Sequence, residues 1–473
     1  MKKTFLKSGK LLFILTMCVA LFAGCSQDLE ETQETVNDNQ GNGATDVADN
    51  NEGTEEVPVV METVQVWTNN AHSKAEDEAM VNNFNETIGK EKGIFIDYQV
   101  FGSGYDDTLN IALAAGEEPH LFKASLSKAD AAEAGYIIPI EDIEGGPEFL
   151  EKYEGLINPI NNQYNGKTYS VPFVAQSLGI AYNKELLAKN GFTEPPKTWE
   201  EFRNMAKVIT ENGEGKEFGF IEGLQSSGMQ HWNGLFHYAS QVGHAGWDFE
   251  KGEFALKEYS PFFQMLADMK NEDQSWFPGA EGLNNDAARA RFAEGVVGFK
   301  FSASWDVGVF TDQFPAVMDW EFFRIPGPYK DFSILNELMV FGKKANDLPE
   351  KTLEVYKLFH SDEAVTKLYL EGKNLPYDFD IVKNLEIDKK DNLPTQWVEV
   401  ADLSNSAVYP NPWTPARIIA IEGDDVIAVI NKILAGVVSA DKALTDLDSR
   451  LEAGLEQEVD RGLDIDPFLI PIQ

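Results

Sequence analysis

The chain has 473 residues, with 78 acidic against 39 basic side chains and a formal charge of -39. It therefore lacks the lysine and arginine surplus that neutralises phosphates, and nucleic acid is excluded as a partner. Its 2 cysteines, Cys18 and Cys25, both stand near the N-terminus, which removes disulfides, thiolate zinc sites and a cysteine nucleophile from everything that follows.

Lys2, Lys3, Lys7 and Lys10 precede an apolar run from Leu11 to Phe22, which ends at Ala23–Gly24–Cys25. The run falls short of the ~20 apolar residues a membrane helix needs. A basic leader, a short apolar segment and a small-residue cleavage site describe a secretory signal over residues 1–25. Leu21–Phe22–Ala23–Gly24–Cys25 resembles the bacterial lipobox, which implies lipidation of Cys25 and a membrane anchor. A plain signal peptide with an incidental cysteine is the alternative. Residues 26–62 carry eleven acids, no lysine or arginine and no aromatic residue. Such a segment cannot bury enough apolar surface to offset its ordering entropy, and it reads as a disordered acidic tether. Setting aside the leader lysines and the tether acids leaves -32 on the body.

The body, residues 63–473, is large for one core and predicts two lobes. A strand over residues 63–67 meets the polar turn Thr68–Ser73, and a helix follows over 74–88. A second strand covers 93–100, the turn Phe101–Gly104 opens a helix over 105–115, and a third strand covers 119–124. Strands alternating with helices predict parallel βαβ units. Ligands sit beyond the carboxyl ends of such strands, so Trp67–His72, Ser103–Tyr105 and Lys123–Ser127 are candidate ligand loops. Further on, Thr198 with Glu201 three residues later forms a capping box that starts a helix.

The ordered set of these segments resembles the family 1 extracellular solute-binding proteins of ABC importers. It is carried by the lipobox, Val66–Trp67–Thr68, Gly116–Glu117–Glu118–Pro119–His120–Leu121–Phe122, and Tyr164–Asn165–Gly166–Lys167–Thr168–Tyr169 with Val171–Pro172–Phe173. Tyr182–Asn183–Lys184, Pro195–Pro196–Lys197–Thr198–Trp199–Glu200–Glu201, Arg291–Phe299, Ser302–Ala303–Ser304–Trp305 and Ala440–Leu444 continue it. His120 departs from the pattern, which has aspartate after the proline. The resemblance implies an α/β, two-lobed, periplasmic-binding-protein-like clamp with hinge crossover strands. It puts the first crossover near Pro172–Gln176 and the second near Phe322–Pro326. Residues 63–175 and 326–345 then form the N-terminal lobe, and 176–325 and 346–473 the C-terminal lobe. Affinity would reflect preferential binding to the closed state.

A sugar offers an apolar ring face to aromatic side chains and a polar rim to hydrogen-bonding ones. On this chemistry and the resemblance together, the candidate ligand contacts are Trp67, His72, Tyr105, Lys123, Gln176, His231, Trp232, Trp305 and Trp413. Gln176 lies just past the first crossover, and Trp305 stands where relatives carry a stacking tryptophan. Lys123 would suit a ligand carboxylate such as a uronate, the alternative being a surface lysine lying along apolar ground. Tyr377 and Tyr409, with Trp413, are candidates for a lid wall. Trp199 is read as structural, packing beneath its capping box.

Other chemistry is poorly supported. His231, His237 and His244, six and seven residues apart, do not share a helical face as metal ligands. Gly102–Ser103–Gly104 is too short for a dinucleotide loop. Glu141–Asp142 and Glu200–Glu201 could be imagined as the acid and base of a glycosidase, but with 78 acids such pairs arise by chance. The expectation is a monomeric, cofactor-free and metal-free binding protein that delivers a carbohydrate to ABC permease subunits. The tether points to the outer face of a Gram-positive membrane. A secreted glycoside-active lipoprotein enzyme is the rival.

Overall fold

The computed structural model describes residues 60–101, 104–124, 128–157, 159–225, 234–385, 394, 397, 406–408 and 419–469. The leader, Cys25 and the tether through residue 59 lie outside the described residues. Within Glu62–Thr68, Val64, Val66 and Thr68 are buried while the residues between them are not, the period of a strand with one face on a core. Ile94–Val100 and Leu121–Phe122 flank it in parallel, and the helices Lys74–Glu86 and Tyr105–Ala115 make the crossovers. The third strand is shorter than expected, which fits Pro119, a residue unable to donate to a ladder. The sheet is completed by Val340–Gly342, antiparallel to both Leu121–Phe122 and Ile137–Ile138. At its outer edge the Asn85 side chain donates to the carbonyl of Ile96 at 3.0 Å and accepts from its N–H at 2.8 Å, closing an edge that would otherwise template pairing.

One twelve-residue strand, Pro172–Asn183, joins this lobe to the next. Phe173 and Val174 lie in the core of the first sheet, whereas Leu178 and Ile180 lie in that of the second. Along its first half it pairs with Asp331–Glu337 and Leu375–Pro376, and along its second with Val297–Ala303 and Trp320–Phe323. Phe218–Ile221 lies parallel to Val297–Ala303. The helix Trp199–Asn212 presses on that strand so closely that a Cβ on Gly219 would sit 2.0 Å from the carbonyl of Ala206. The long helix Ala440–Asp460 closes the second core with Leu444, Leu447, Leu451 and Leu455.

Two expectations are corrected. The second crossover is Asp331–Glu337, with Ile334 opposite Gln176 and Leu335 opposite Ala175. Phe322 and Phe323 instead pair with Ala181 and Ile180 inside the second sheet. An apolar run stopped by proline reads alike in both places, and the pairing partner decides between them. The second correction concerns residues after 345. The helices Pro349–Phe359 and Asp362–Leu370 bury Leu353, Val355, Tyr356, Phe359, Val365 and Leu368 with Val64 and Ile96, so this stretch belongs to the first lobe's core. Tyr377 is buried in the same core, its ring 5.6 Å from that of Tyr153, and it forms no lid wall.

Candidate ligand cleft

The carboxyl ends of the three parallel strands converge on one patch of the first lobe. The Trp67 ring lies half-buried 5.0 Å from Phe101, which in turn lies 6.0 Å from Tyr105. The indole Nε1 of Trp67 is shielded from solvent and has no hydrogen-bond partner, so the ring's partly exposed face, rather than its N–H, is what it offers. Tyr105 is buried, and its hydroxyl donates to the carbonyl of Lys123 at 2.6 Å. It therefore braces the strand ends from beneath and offers a ligand no surface, contrary to expectation. A tyrosine opening a helix after a glycine turn gives no sign of which way it faces. Lys123 donates through Nζ to Asn70 Oδ1 at 2.7 Å, which holds its ammonium beside the turn after the first strand. His72 lies in the turn Ala71–Ser73, which packs against Val309–Gln313 of the second lobe. Behind that turn Ser73 Oγ and Tyr98 OH both donate to Asp77 Oδ2, at 2.9 and 2.8 Å. Burial pushes the Asp77 carboxyl up to about 6 against the pull of these two bonds.

Between the lobes, Gln176 is half-buried on the crossover strand. Next to it the Ser304 N–H donates to the Ser177 carbonyl at 2.8 Å, and Ser304 Oγ accepts from the Ser177 N–H at 3.3 Å. These bonds fasten the turn carrying Trp305 to the hinge. Trp305 is half-buried against the second core. Lys373 contacts Asp312 of the second lobe and lies 3.8 Å from Glu76 of the first. His231, Trp232, Tyr409 and Trp413 lie outside the described residues.

Sequence reasoning missed a layer of buried charge beneath the second-lobe strand ends. Lys300 Nζ donates to Glu222 Oε2 at 3.0 Å, with the two side chains 1% and 0% exposed. Burial drives the Glu222 carboxyl above its ordinary range, opposed chiefly by Lys300. Arg289 Nη2 lies 2.6 Å from Asp306 Oδ1, an ionic contact rather than an aligned hydrogen bond. The signal for the first pair was present: Lys300 is the one charged residue in the buried Val297–Ala303, and Glu222 directly follows the apolar Phe218–Ile221.

The remaining polar candidates are structural. The buried His120 accepts from the Gln65 N–H at 3.1 Å through Nδ1, and burial lowers its pKa to about 4. His237 Nε2 sits between the carbonyls of Gly179 and Ser302. Glu141 accepts from the Thr168 N–H, and Asp142 pairs with Lys167 at 2.9 Å, so that acidic couple holds a hairpin. Trp199 packs on Phe202 and Phe262 above a Thr198 cap that accepts from Glu201 N–H, as expected. Among the described residues no group of His, Cys, Asp or Glu side chains could hold a metal ion.

Two α/β lobes joined by crossover strands have the architecture of a hinged clamp. The profile of the bacterial extracellular solute-binding proteins matches residues 79–377, and the chain belongs to that family. It is 26% identical over 312 residues to the diacetylchitobiose binding protein DasA of Streptomyces coelicolor, covering 62% of this chain and 69% of that one. It is 25% identical over 229 residues to the maltotriose-binding protein of Pyrococcus abyssi, covering 48% and 46%. The fold matches a Listeria monocytogenes ABC substrate-binding protein solved with cycloalternan, at TM-score 0.65 and 18% identity, over 83% of this chain and 99% of that one. The acarbose-binding GacH receptor of Streptomyces glaucescens matches equally, at TM-score 0.65 and 18% identity over 84% and 99%.

Proposed function

We propose that this protein captures a carbohydrate, a mono- or oligosaccharide, between its lobes and delivers it to the permease of an ABC importer. The observation that carries the reading is Trp67: a half-buried indole at the carboxyl end of the central parallel strand, beside Phe101. A partly exposed aromatic face matches a sugar's apolar ring face. Trp305 on the other lobe supplies a second such face, and Gln176 a polar contact between them. The diacetylchitobiose, maltotriose and melibiose/raffinose/stachyose specificities named for relatives point the same way. The protein acts as a monomer, held through lipid on Cys25 at the extracellular face of the membrane and carried on the tether before residue 63.

Calorimetric titration with diacetylchitobiose, maltotriose and raffinose tests the capture. Saturable binding with the sugar recovered intact is expected, and hydrolysis of any of the three would instead install the glycosidase reading. Deleting the protein should abolish uptake of the sugar bound; unchanged uptake would refute delivery. Cys25→Ala should move the protein from the membrane fraction to the medium.

A further inference from the structure

Four charged side chains, Glu222, Arg289, Lys300 and Asp306, lie on or near the neighbouring parallel strands Phe218–Ile221 and Val297–Ala303. Burying charge pairs is a poor way to gain stability, because desolvation offsets most of the attraction and apolar replacements are often as stable or more so. Arg289 and Asp306 therefore call for another role. Asp306 immediately follows Trp305. One of its oxygens lies 2.6 Å from Arg289 Nη2, and the other accepts from Ser302 Oγ at 2.9 Å. Arg289, on the helix Asn285–Ala293, is itself steadied by Asp286 at 3.0 Å. On the other side of Trp305, Ser304 is bonded twice to Ser177 of the crossover strand. Trp305 is thus gripped at both neighbouring residues, one anchored to the hinge and the other to a helix of the second lobe.

We propose that the Arg289–Asp306 ion pair is a positioning device for Trp305, fixing its indole for the ligand before the lobes close. The inference rests on the sugar-capture reading, with Trp305 as a contact. Preorganisation of this kind acts on affinity by removing the entropy of immobilising a side chain on binding. Without the pair, that ordering falls on the binding step and weakens it about three- to tenfold.

The test is the charge-neutral variant Arg289→Met/Asp306→Asn, compared with wild type by thermal melting, calorimetric titration with diacetylchitobiose, maltotriose and raffinose, and acrylamide quenching of tryptophan emission. The share of emission due to Trp305 is obtained by difference from Trp305→Phe. The expected result is a melting temperature within a few degrees of wild type, with about three- to tenfold weaker binding and a more quenchable Trp305. Arg289→Lys, which keeps the charge, should recover part of the affinity. Wild-type affinity and wild-type quenching in the neutral variant would overturn the proposal. If that variant fails to fold, Asp306→Asn alone decides, since it removes the pair while Arg289 keeps Asp286, and unchanged quenching and affinity there would count against the proposal. If wild type binds none of the three sugars, the capture reading fails for them, and the quenching comparison still decides whether the pair holds Trp305.

Discussion

Replacing Lys300 by methionine leaves Glu222 in a site where neither side chain of the pair reaches solvent. Removing one partner of a buried ion pair costs about 3–5 kcal/mol, because the remaining charge loses its compensation. The pH dependence identifies the cause. In the variant, Glu222 keeps its proton to a higher pH when folded than in the unfolded chain, where it titrates near 4.5. Folded protein then binds more protons than unfolded protein, and stability rises as pH falls. Lys300 holds back that rise in wild type, so relative to wild type Lys300→Met should recover up to about 1.4 kcal/mol per pH unit on going from pH 7 toward 4.5. The apolar double variant Lys300→Met/Glu222→Met should return to within about 2 kcal/mol of wild type at pH 7. Urea unfolding at pH 5, 6 and 7 measures all three chains. A loss equal in the single and double variants and flat with pH would refute the account, since it would trace the damage to packing rather than to a stranded charge.

Trp305→Ala should weaken sugar binding by more than tenfold in calorimetry, as loss of an aromatic anchor does; unchanged affinity would remove Trp305 from the site. Asp77, raised to about 6 by burial, costs stability at neutral pH and returns it as pH falls from 6 toward 3.8. Asp77→Asn lacks that return, so on acidification it should lose up to about 1.4 kcal/mol per pH unit more than wild type, and parallel urea profiles would contradict this. Phe202, fully buried among Phe220, Phe299 and Phe301, should cost about 3–5 kcal/mol on truncation to alanine. A urea midpoint close to wild type would show that the aromatic cluster can close over the gap.

Local pattern made the first lobe readable. The alternation through Val64 and Val66, the glycine turn before Tyr105 and the Thr198 cap each fix an element by short-range physics, and the helix Tyr105–Ala115 has its expected bounds. Long-range pairing was the obscure part. Val340–Gly342 is too short to signal that it completes a sheet begun at residue 62, and nothing local distinguishes Asp331–Glu337 from Phe322–Pro326 as a crossover. At the site, tryptophans at strand ends were legible as candidates because strand polarity brings them there. Tyr105 was misread because its facing depends on the Lys123 carbonyl, a partner supplied by another strand. The Arg289–Asp306 contact spans a helix and a turn with no shared periodicity, so only their meeting in space reveals it.

The place of Val340–Gly342 between Leu121–Phe122 and Ile137–Ile138 has a kinetic consequence. The strands on either side are made early, yet the one that joins them arrives only after the chain has passed through most of the second lobe. The first lobe is therefore left with an open seam during synthesis, and its completion waits on a contact that spans some two hundred residues. Contacts so distant in sequence make folding slow. A chain that cannot finish its first lobe early stays short of its native fold for longer, and an unfinished fold is the condition in which a polypeptide can still be threaded across a membrane.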